Sequence, residues 1–240
     1  RVTPAVTPGW ETGPPMPTYF AHSAGDSDKD GWQPLDLHLS EVARRCGDFA
    51  SKFGVEAWGK ACGLLHDLGK FSREFQARLE GGRRVDHATA GARQAVALFR
   101  PGPGRLLAYA IAGHHTGLPD GGAAGGPRRD TLFGRLDRGK VEVPEIRDFE
   151  PVMDGMPASL PRPPVGRDGF SRAFFVRMLY SCLVDADFLD TEAWLARRDA
   201  ALRARWPAIE ALLEHLDRYL DAICCDDTPV NRRRAEVLAR

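Results

Sequence analysis

The chain has 240 residues, of which 43% are hydrophobic and 28% are charged. This composition is ordinary for a globular protein and argues against a disordered or fibrous one. Lys and Arg together number 33, and so do Asp and Glu, which gives a formal net charge of zero. That balance excludes a global basic field that would draw the chain onto nucleic acid. Any contact with nucleic acid must therefore be local.

The cysteines and the apolar segments indicate a compartment. The five cysteines are odd in number and lack the paired spacing of a zinc site or of a secreted disulfide framework. No segment approaches the roughly 18 consecutive apolar residues of a membrane helix. We therefore expect a cytoplasmic protein that has no membrane partner.

Apolar spacing predicts an all-α protein. Residues 1–18 are rich in proline and are expected to form an extended arm. Residues 35–53 place apolar side chains at steps of three and four, as in an amphipathic helix. Further helices are predicted at 57–65, 72–79, 87–99, 105–114, 131–138, 171–189 and 192–223. The polar tail, residues 224–240, is expected to have a short helical end, and convincing period-two alternation is nearly absent.

A long Gly/Pro-rich insertion interrupts this helical bundle between residues 117 and 169. Irregular segments of this length inside compact domains are uncommon, and they are usually functional lids or disordered segments. We predict that the insertion covers a cleft or contacts a partner.

The histidines are concentrated in the first half of the chain. Six of the seven lie there, namely His22, His38, His66, His87, His114 and His115. In the segment LLHDLGKF, an apolar helix delivers the adjacent His66 and Asp67 just before Gly69. Neighbouring helix residues diverge by about 100°, so both reach one ion only if it lies beyond the helix edge. A carboxylate can bridge two ions, which an imidazole cannot do.

Other segments carry the same kinds of side chain. His114 and His115 end a second apolar helix, His87 follows Asp86, and the segment LVDADFLDTE supplies two late aspartates. Imidazole nitrogen suits transition metals better than Mg or Ca, which prefer oxygen. We expect two divalent transition-metal ions, Mn, Fe, Co or Ni rather than Mg or Zn.

The ordered segments YFAHS, LLHDLGKF, DHATAGA, GHHTG and LVDADFLDTE resemble the HD nuclease domain of the CRISPR-associated helicase-nuclease of type I systems. That family belongs to the HD superfamily of metal-dependent phosphohydrolases. The likeness runs from Tyr19 to about Arg240. It implies an HD nuclease domain over residues 19–223 that cuts single-stranded DNA, as an endonuclease or exonuclease, in antiviral defence. The implied partners are a helicase part, in the same protein or in a separate subunit, and a CRISPR effector complex.

The resemblance also implies a set of metal ligands. One ion would be held by His22, His66, Asp67 and a late aspartate. The other would be held by His87, His114 and His115, with Asp67 bridging the two. Asp187 is the preferred late aspartate, because many HD proteins end with an Ala-Asp-bulky-Leu pattern, and Asp185 is the alternative. Two residues on a helix diverge by about 200°, so the two aspartates do not easily share one ion. His38 is either a ligand or a residue that orients one by a hydrogen bond.

Two ions about 3.5–4 Å apart can lower the pKa of a water from about 15.7 towards 7 and hold a phosphate in line. Asp67 is the catalytic residue expected to hold both ions. Lys70 is expected to pair with a non-bridging phosphate oxygen as a catalytic and substrate-binding group. Ser23 is expected to orient a ligand or contact phosphate. Five arginines form either a strand-binding path or a solvated face, namely Arg73, Arg78, Arg83, Arg84 and Arg93.

The C-terminal segment NRRRAEVLAR, within residues 224–240, resembles the connector that precedes the helicase part in this family. No G-x-x-x-x-G-K-[ST] phosphate loop occurs in the 240 residues, so we expect a nuclease domain without its helicase part. One alternative is an HD phosphohydrolase of small nucleotides. Another is a non-catalytic metal-binding module that binds a partner. His215, on a late helix, is excluded as a ligand.

Overall fold

The computed structural model describes residues 18–24, 29–99, 102–166, 168–196, 207–223 and 227–238. Ten α-helices within these ranges confirm the all-α class. The predicted arm lies almost entirely outside the described residues. The chain forms two compact units, residues 1–195 and 196–240.

Eight helices lie in the first unit, most of them close to the predicted segments. They are α1 Leu35–Ser51, α2 Glu56–Leu65, α3 Arg73–Leu79, α4 Ala88–Leu98, α5 Pro103–Gly113, α6 Leu132–Leu136, α7 Glu150–Met153 and α8 Gly169–Leu195. A short 3-10 helix, η2, spans Leu68–Phe71 between α2 and α3. α1 packs against α2, α4 packs against α5, and α8 packs against α1, α2 and α5. The apolar faces of these helices form one core.

The predicted break in the helix near residue 190 is wrong, because α8 runs without interruption to Leu195. Asp and Thr have low helix propensity, so Asp190 and Thr191 indicated an end. In the structure Asp190 is buried and accepts hydrogen bonds from two other elements. Tertiary contacts therefore keep the helix intact.

A small sheet was not predicted. Strand β1, Phe20–His22, pairs antiparallel with β2, Gln33–Pro34. Strands of three and two residues are too short to show period-two alternation. The pair leads directly into α1 and places His22 beside its first turn.

The insertion is attached to the core along its length. The guanidinium of Arg93 on α4 donates to the carbonyl oxygens of Arg135, Asp137 and Val141. Leu132 in α6 and Val152 in α7 are buried in the core. Farther along, the Arg147 amide donates to the Phe71 carbonyl, 3.2 Å away, beside η2. Arg93 therefore has a structural role in this fold.

The second unit contains α9, Ile209–Ile223, and α10, Pro229–Leu238. Of the predicted helix over 192–223, residues 192–195 belong to α8 and 209–223 form α9, while residues 197–206 lie outside the described ranges. His215 is exposed on α9 and belongs to no metal-ligand group of the described residues. Within the described chain, no helix combines the length and apolarity needed to cross a bilayer.

Candidate metal centre

The ends of three helices deliver the central titratable side chains. His66 is the residue after α2, and Asp67 follows it at the start of η2. His87 immediately precedes α4, and His114 is the residue after α5. Residues far apart in the sequence therefore meet around one carboxylate, that of Asp67.

The Asp67 carboxylate is fully buried at the centre of the cluster. Its Oδ1 atom lies 3.3 Å from Nε2 of His87 and 3.3 Å from Nε2 of His114. Its Oδ2 atom lies 3.3 Å from Nε2 of His66 and 3.4 Å from Nε2 of His38. Each oxygen of one carboxylate thus faces its own pair of imidazoles.

Two further side chains, Asp187 and His115, lie beside these two pairs of imidazoles. Oδ1 of Asp187 lies 3.4 Å from Nε2 of His38 and 3.8 Å from Nε2 of His66. The exposed His115 groups with Asp67 and the two histidines near its Oδ1 atom, with all ligand atoms within 4.8 Å of one another. We name the two sets site A and site B. Site A comprises His38, His66, Asp67 and Asp187, and site B comprises Asp67, His87, His114 and His115.

Hydrogen bonds at Nδ1 determine which imidazole nitrogen faces the centre. Nδ1 of His66 lies 2.7 Å from the carbonyl oxygen of Gly63. Nδ1 of His114 lies 2.7 Å from the carbonyl oxygen of Ile111. A carbonyl oxygen only accepts, so each Nδ1 carries a proton and, in the neutral ring, Nε2 presents its lone pair to the centre.

The spacing of these atoms fits a shared cation better than direct hydrogen bonds. Typical N–H···O hydrogen bonds span about 2.7–3.2 Å, whereas the Nε2 atoms lie 3.3–3.8 Å from the carboxylate oxygens they face. Two ligand atoms that are each about 2.1 Å from one ion lie about 3.0–3.4 Å apart. The Nε2 atoms of His38, His66, His87 and His114 are buried and receive no hydrogen bond from any described residue. Burial of so many acceptors without partners is costly and favours a bound cation, and nitrogen and carboxylate donors suit divalent metal ions.

A family model for the HD domain matches residues 35–144 of this chain. The match covers every residue of sites A and B except Asp187. It supports the HD superfamily, agrees with the all-α bundle and implies a metal-dependent phosphohydrolase. The comparison with curated proteins gave no match.

Close backbone contacts hold η2 and the start of α4 together around Asp67. A Cβ atom on Gly91 of α4 would lie 1.7 Å from the Leu65 carbonyl oxygen, and one on Gly69 of η2 would lie 2.2 Å from the His87 carbonyl oxygen. Only glycine permits these approaches. They bring the start of α4, and with it His87, against the turn that carries Asp67.

The carboxylates of site A favour positive charge on its two histidines. Burial alone would lower the pKa of His38, but three neighbouring carboxylates, led by Asp187, outweigh burial and raise the pKa to about 9. Burial also opposes the charged form of His66, and the charge of Asp67 contributes most to raising its pKa to about 10. Burial would raise the pKa of Asp67, yet the charge of Lys70, followed by that of His66, holds it well below its usual range. Without metal, protons supply the positive charge.

Site B has a different electrostatic character. Burial is the main cause that lowers the pKa of His87 to about 4, and it also lowers the pKa of His115 to about 4. These imidazoles are therefore neutral at pH 7 and hold lone pairs ready for a metal. His87 and His115 are also the more accessible histidines of the centre.

The structure places His22 and His38 differently from the resemblance. Nε2 of His38 faces both Asp67 and Asp187. Nε2 of His22 lies 3.2 Å from the hydroxyl of Thr191, and His22 falls in a group with His38 and Asp187 but in none with Asp67. His38 therefore lies between the two carboxylates of site A, and His22 lies beside His38 and Asp187. In the sequence, the position of His38 in the first turn of the predicted helix 35–53 was the signal that it could face the metal centre.

The remaining predicted residues lie at varied distances from the centre. Lys70 is buried, with its ammonium 2.6 Å from Oδ2 of Asp67 and 3.0 Å from the carbonyl oxygen of Ala21. Its charge thus faces the carboxylate from inside the fold. Ser23 is half-buried after β1. Asp185 is exposed and lines a different surface groove, outside the ligand groups among the described residues.

Sequence reasoning did not identify the side chains that contact His38, Asp190 and His22 from outside the two sites. Asp190 contacts His38, Gln33 contacts Asp190, and Thr191 contacts His22. The spacing of three residues between Asp187 and Asp190 was a usable signal, because residues three apart share a helix face. Nothing in the sequence around Gln33 indicated its role.

Proposed function

We propose that this chain is a two-metal nuclease that hydrolyses phosphodiester bonds of single-stranded DNA in CRISPR interference. The observation that carries the proposal is the position of Asp67, whose two oxygens face two separate groups of imidazoles. A bridging carboxylate is what two neighbouring ions require. The ordered motifs shared with type I CRISPR nuclease domains support the choice of substrate.

The residues of the chain have distinct parts in this reaction. Site A would hold one ion in a buried position, since His38 and His66 are inaccessible to solvent. Site B would hold the other at the edge of the fold, where His115 is exposed. Divalent ions, when bound, would supply the Lewis acidity that activates water and neutralises charge on phosphate. The substrate would approach from the side of His115.

The donor set supports a transition metal in both sites. Site A offers two imidazoles and two carboxylates, and site B offers three imidazoles and one carboxylate. Sets with two or three imidazole nitrogens favour Mn, Fe, Co or Ni over the harder Mg, which prefers oxygen ligands. We propose one of these four as the native metal.

A surface groove supports a polymeric substrate. It has a volume of about 590 Å³ and is lined by Val85 and Asp86, the two residues before His87. The exposed Arg83 and Arg84 also line it and could contact phosphates. An open groove accepts a strand of any length, whereas a small-nucleotide enzyme needs a closed pocket.

The partners are part of the same proposal. The resemblance extends to the arginine-rich segment in α10, which in that family precedes a helicase part. We propose that a helicase, covalently joined or separate, supplies the unwound strand, and that a CRISPR effector complex directs it to its target.

The test compares substrates and variants in one assay. Circular single-stranded DNA, double-stranded DNA and free nucleotides are incubated with the protein and Mn²⁺, Co²⁺ or Ni²⁺. The expected result is cutting of the circle, lost in Asp67→Asn and retained in Asp154→Asn, a matched change at an exposed carboxylate outside the centre. Turnover of nucleotides without strand cutting would replace the nuclease with a small-nucleotide phosphohydrolase. Bound metal with no hydrolysis of either would indicate a non-catalytic module.

A further inference from the structure

A second carboxylate on α8 has no place among the metal ligands. Asp190 is 6% exposed, in a helix whose other acidic residue at the centre is Asp187. Its Oδ2 atom lies 2.7 Å from Nδ1 of His38 and accepts a hydrogen bond of 2.6 Å from Nε2 of Gln33. Asp190 belongs to no metal-ligand group of the described residues.

The two aspartates of α8 face opposite ends of one imidazole. Residues three apart lie on the same side of a helix. Oδ1 of Asp187 is 3.4 Å from Nε2 of His38, while Oδ2 of Asp190 is 2.7 Å from Nδ1. The longer distance leaves space for an ion, and the shorter one is a direct hydrogen bond.

That hydrogen bond determines the tautomer of the metal-binding ring. A neutral imidazole carries one proton, on either nitrogen. Because the carboxylate of Asp190 accepts at Nδ1, the proton stays there and the lone pair of Nε2 points into site A. A carboxylate behind the ring also raises the basicity of the ligating nitrogen.

We propose that Asp190 is the positioning residue of site A, which fixes the tautomer and orientation of His38, and that Gln33 holds Asp190 in place. This inference rests on the proposed metal centre and deepens it. The motif LVDADFLDTE thereby supplies both a ligand, Asp187, and the group that aims a second ligand. Gln33 brings the β1–β2 hairpin into the same network.

The test measures metal binding and not DNA cutting. Asp190→Asn keeps the shape and one acceptor oxygen but removes the charge, so the fold should persist. Co²⁺ alone is titrated into the metal-free protein by calorimetry and followed by visible absorption. We expect the affinity of site A to fall by about 10–100-fold, as for other groups behind metal ligands, and that of site B to stay unchanged. The Asp154→Asn protein should bind like the wild type.

Two backgrounds separate positioning from a general effect of charge. In a His38→Gln protein, the Asp190→Asn change has no imidazole to act on, so the Co²⁺ affinity should change by less than about twofold. In a His66→Gln protein, which also lacks one imidazole of site A, the full loss should remain. An equal loss in both backgrounds, or no loss in the wild type, would overturn the inference.

The outcome is independent of the nuclease assay. A protein that binds Co²⁺ with this pattern but leaves DNA intact supports the role of Asp190 and refutes the proposed reaction. A protein that cuts DNA and loses nothing with Asp190→Asn supports the reaction and refutes the role. Melting temperatures of the metal-free variants check that each protein is folded.

Discussion

Replacing Gly91 by alanine should destabilise the protein and disturb site B, although alanine is the better helix former. In an open helix this change stabilises by about 1 kcal/mol. Here the new Cβ would lie 1.7 Å from the Leu65 carbonyl oxygen, and real Cβ atoms keep at least 3.0 Å, so two backbones must separate by at least 1.3 Å. Overpacking costs about 1–3 kcal/mol, and contact between two backbones belongs at the upper end. The net loss should be about 2 kcal/mol.

That displacement reaches the metal centre through α4. His87 lies one helical turn before Gly91, with Nε2 3.3 Å from Oδ1 of Asp67. Metal ligands tolerate errors of only about 0.2 Å, so the Co²⁺ affinity of site B should fall by at least about tenfold. A loss of 2 kcal/mol lowers the melting temperature by about 4–8 °C in a unit of this size.

Thermal denaturation of the metal-free protein and Co²⁺ titration together check this prediction. Gly169→Ala is the matched control, because a Cβ at the start of α8 meets no atom within 4 Å. That protein should melt within about 2 °C of the wild type. If Gly91→Ala melts at or above the wild-type temperature, the close contact between α2 and α4 does not exist as described.

Three further predictions concern site A. His38→Gln should weaken Co²⁺ binding at site A by at least about 100-fold, whereas His22→Gln should weaken it by less than about tenfold. Calorimetry that ranks them in the reverse order would make His22 the ligand. Lys70→Met should lower the melting temperature of the metal-free protein, because a buried ion pair loses one partner at a cost of about 3–5 kcal/mol. Added Mn²⁺ should restore most of the lost melting temperature by neutralising Asp67. A drop of equal size with and without Mn²⁺ would contradict this. Metal binding at pH 7 should release protons, because the pKa values of His38 and His66 are about 9 and 10 without metal. Apparent affinity should therefore rise with pH up to about 9 and weaken as pH falls, and calorimetry that gives the same heat in buffers of different ionisation enthalpy would show that no proton leaves.

The sequence alone predicted the helical class and the main helices of the first unit. Apolar periodicity was sufficient because α1, α2 and α5 each bury one side in the core. It failed where local preference and tertiary contact disagree. α8 continues through Asp190 because buried hydrogen bonds outweigh the low helix propensity of that residue.

The sequence predicted the residue types of the candidate site and the residues at its centre. His66, Asp67, His87, His114 and His115 were all named from the sequence, and they lie around one carboxylate. The residue types and their positions at helix ends made this prediction possible. A histidine and an aspartate next to each other at the end of an apolar helix, just before a glycine, are typical of metal ligands.

Only the tertiary structure decided which side chains lie together around Asp67 and which ones contact them from behind. The position of His38 between Asp67 and Asp187 depends on where α1 starts relative to α8, and a helical period cannot encode that distance. The role of Asp190 depends on Gln33, which is 157 positions away in the sequence. Contacts of this kind exist only once the helices have packed, because packing sets the directions in which their side chains meet.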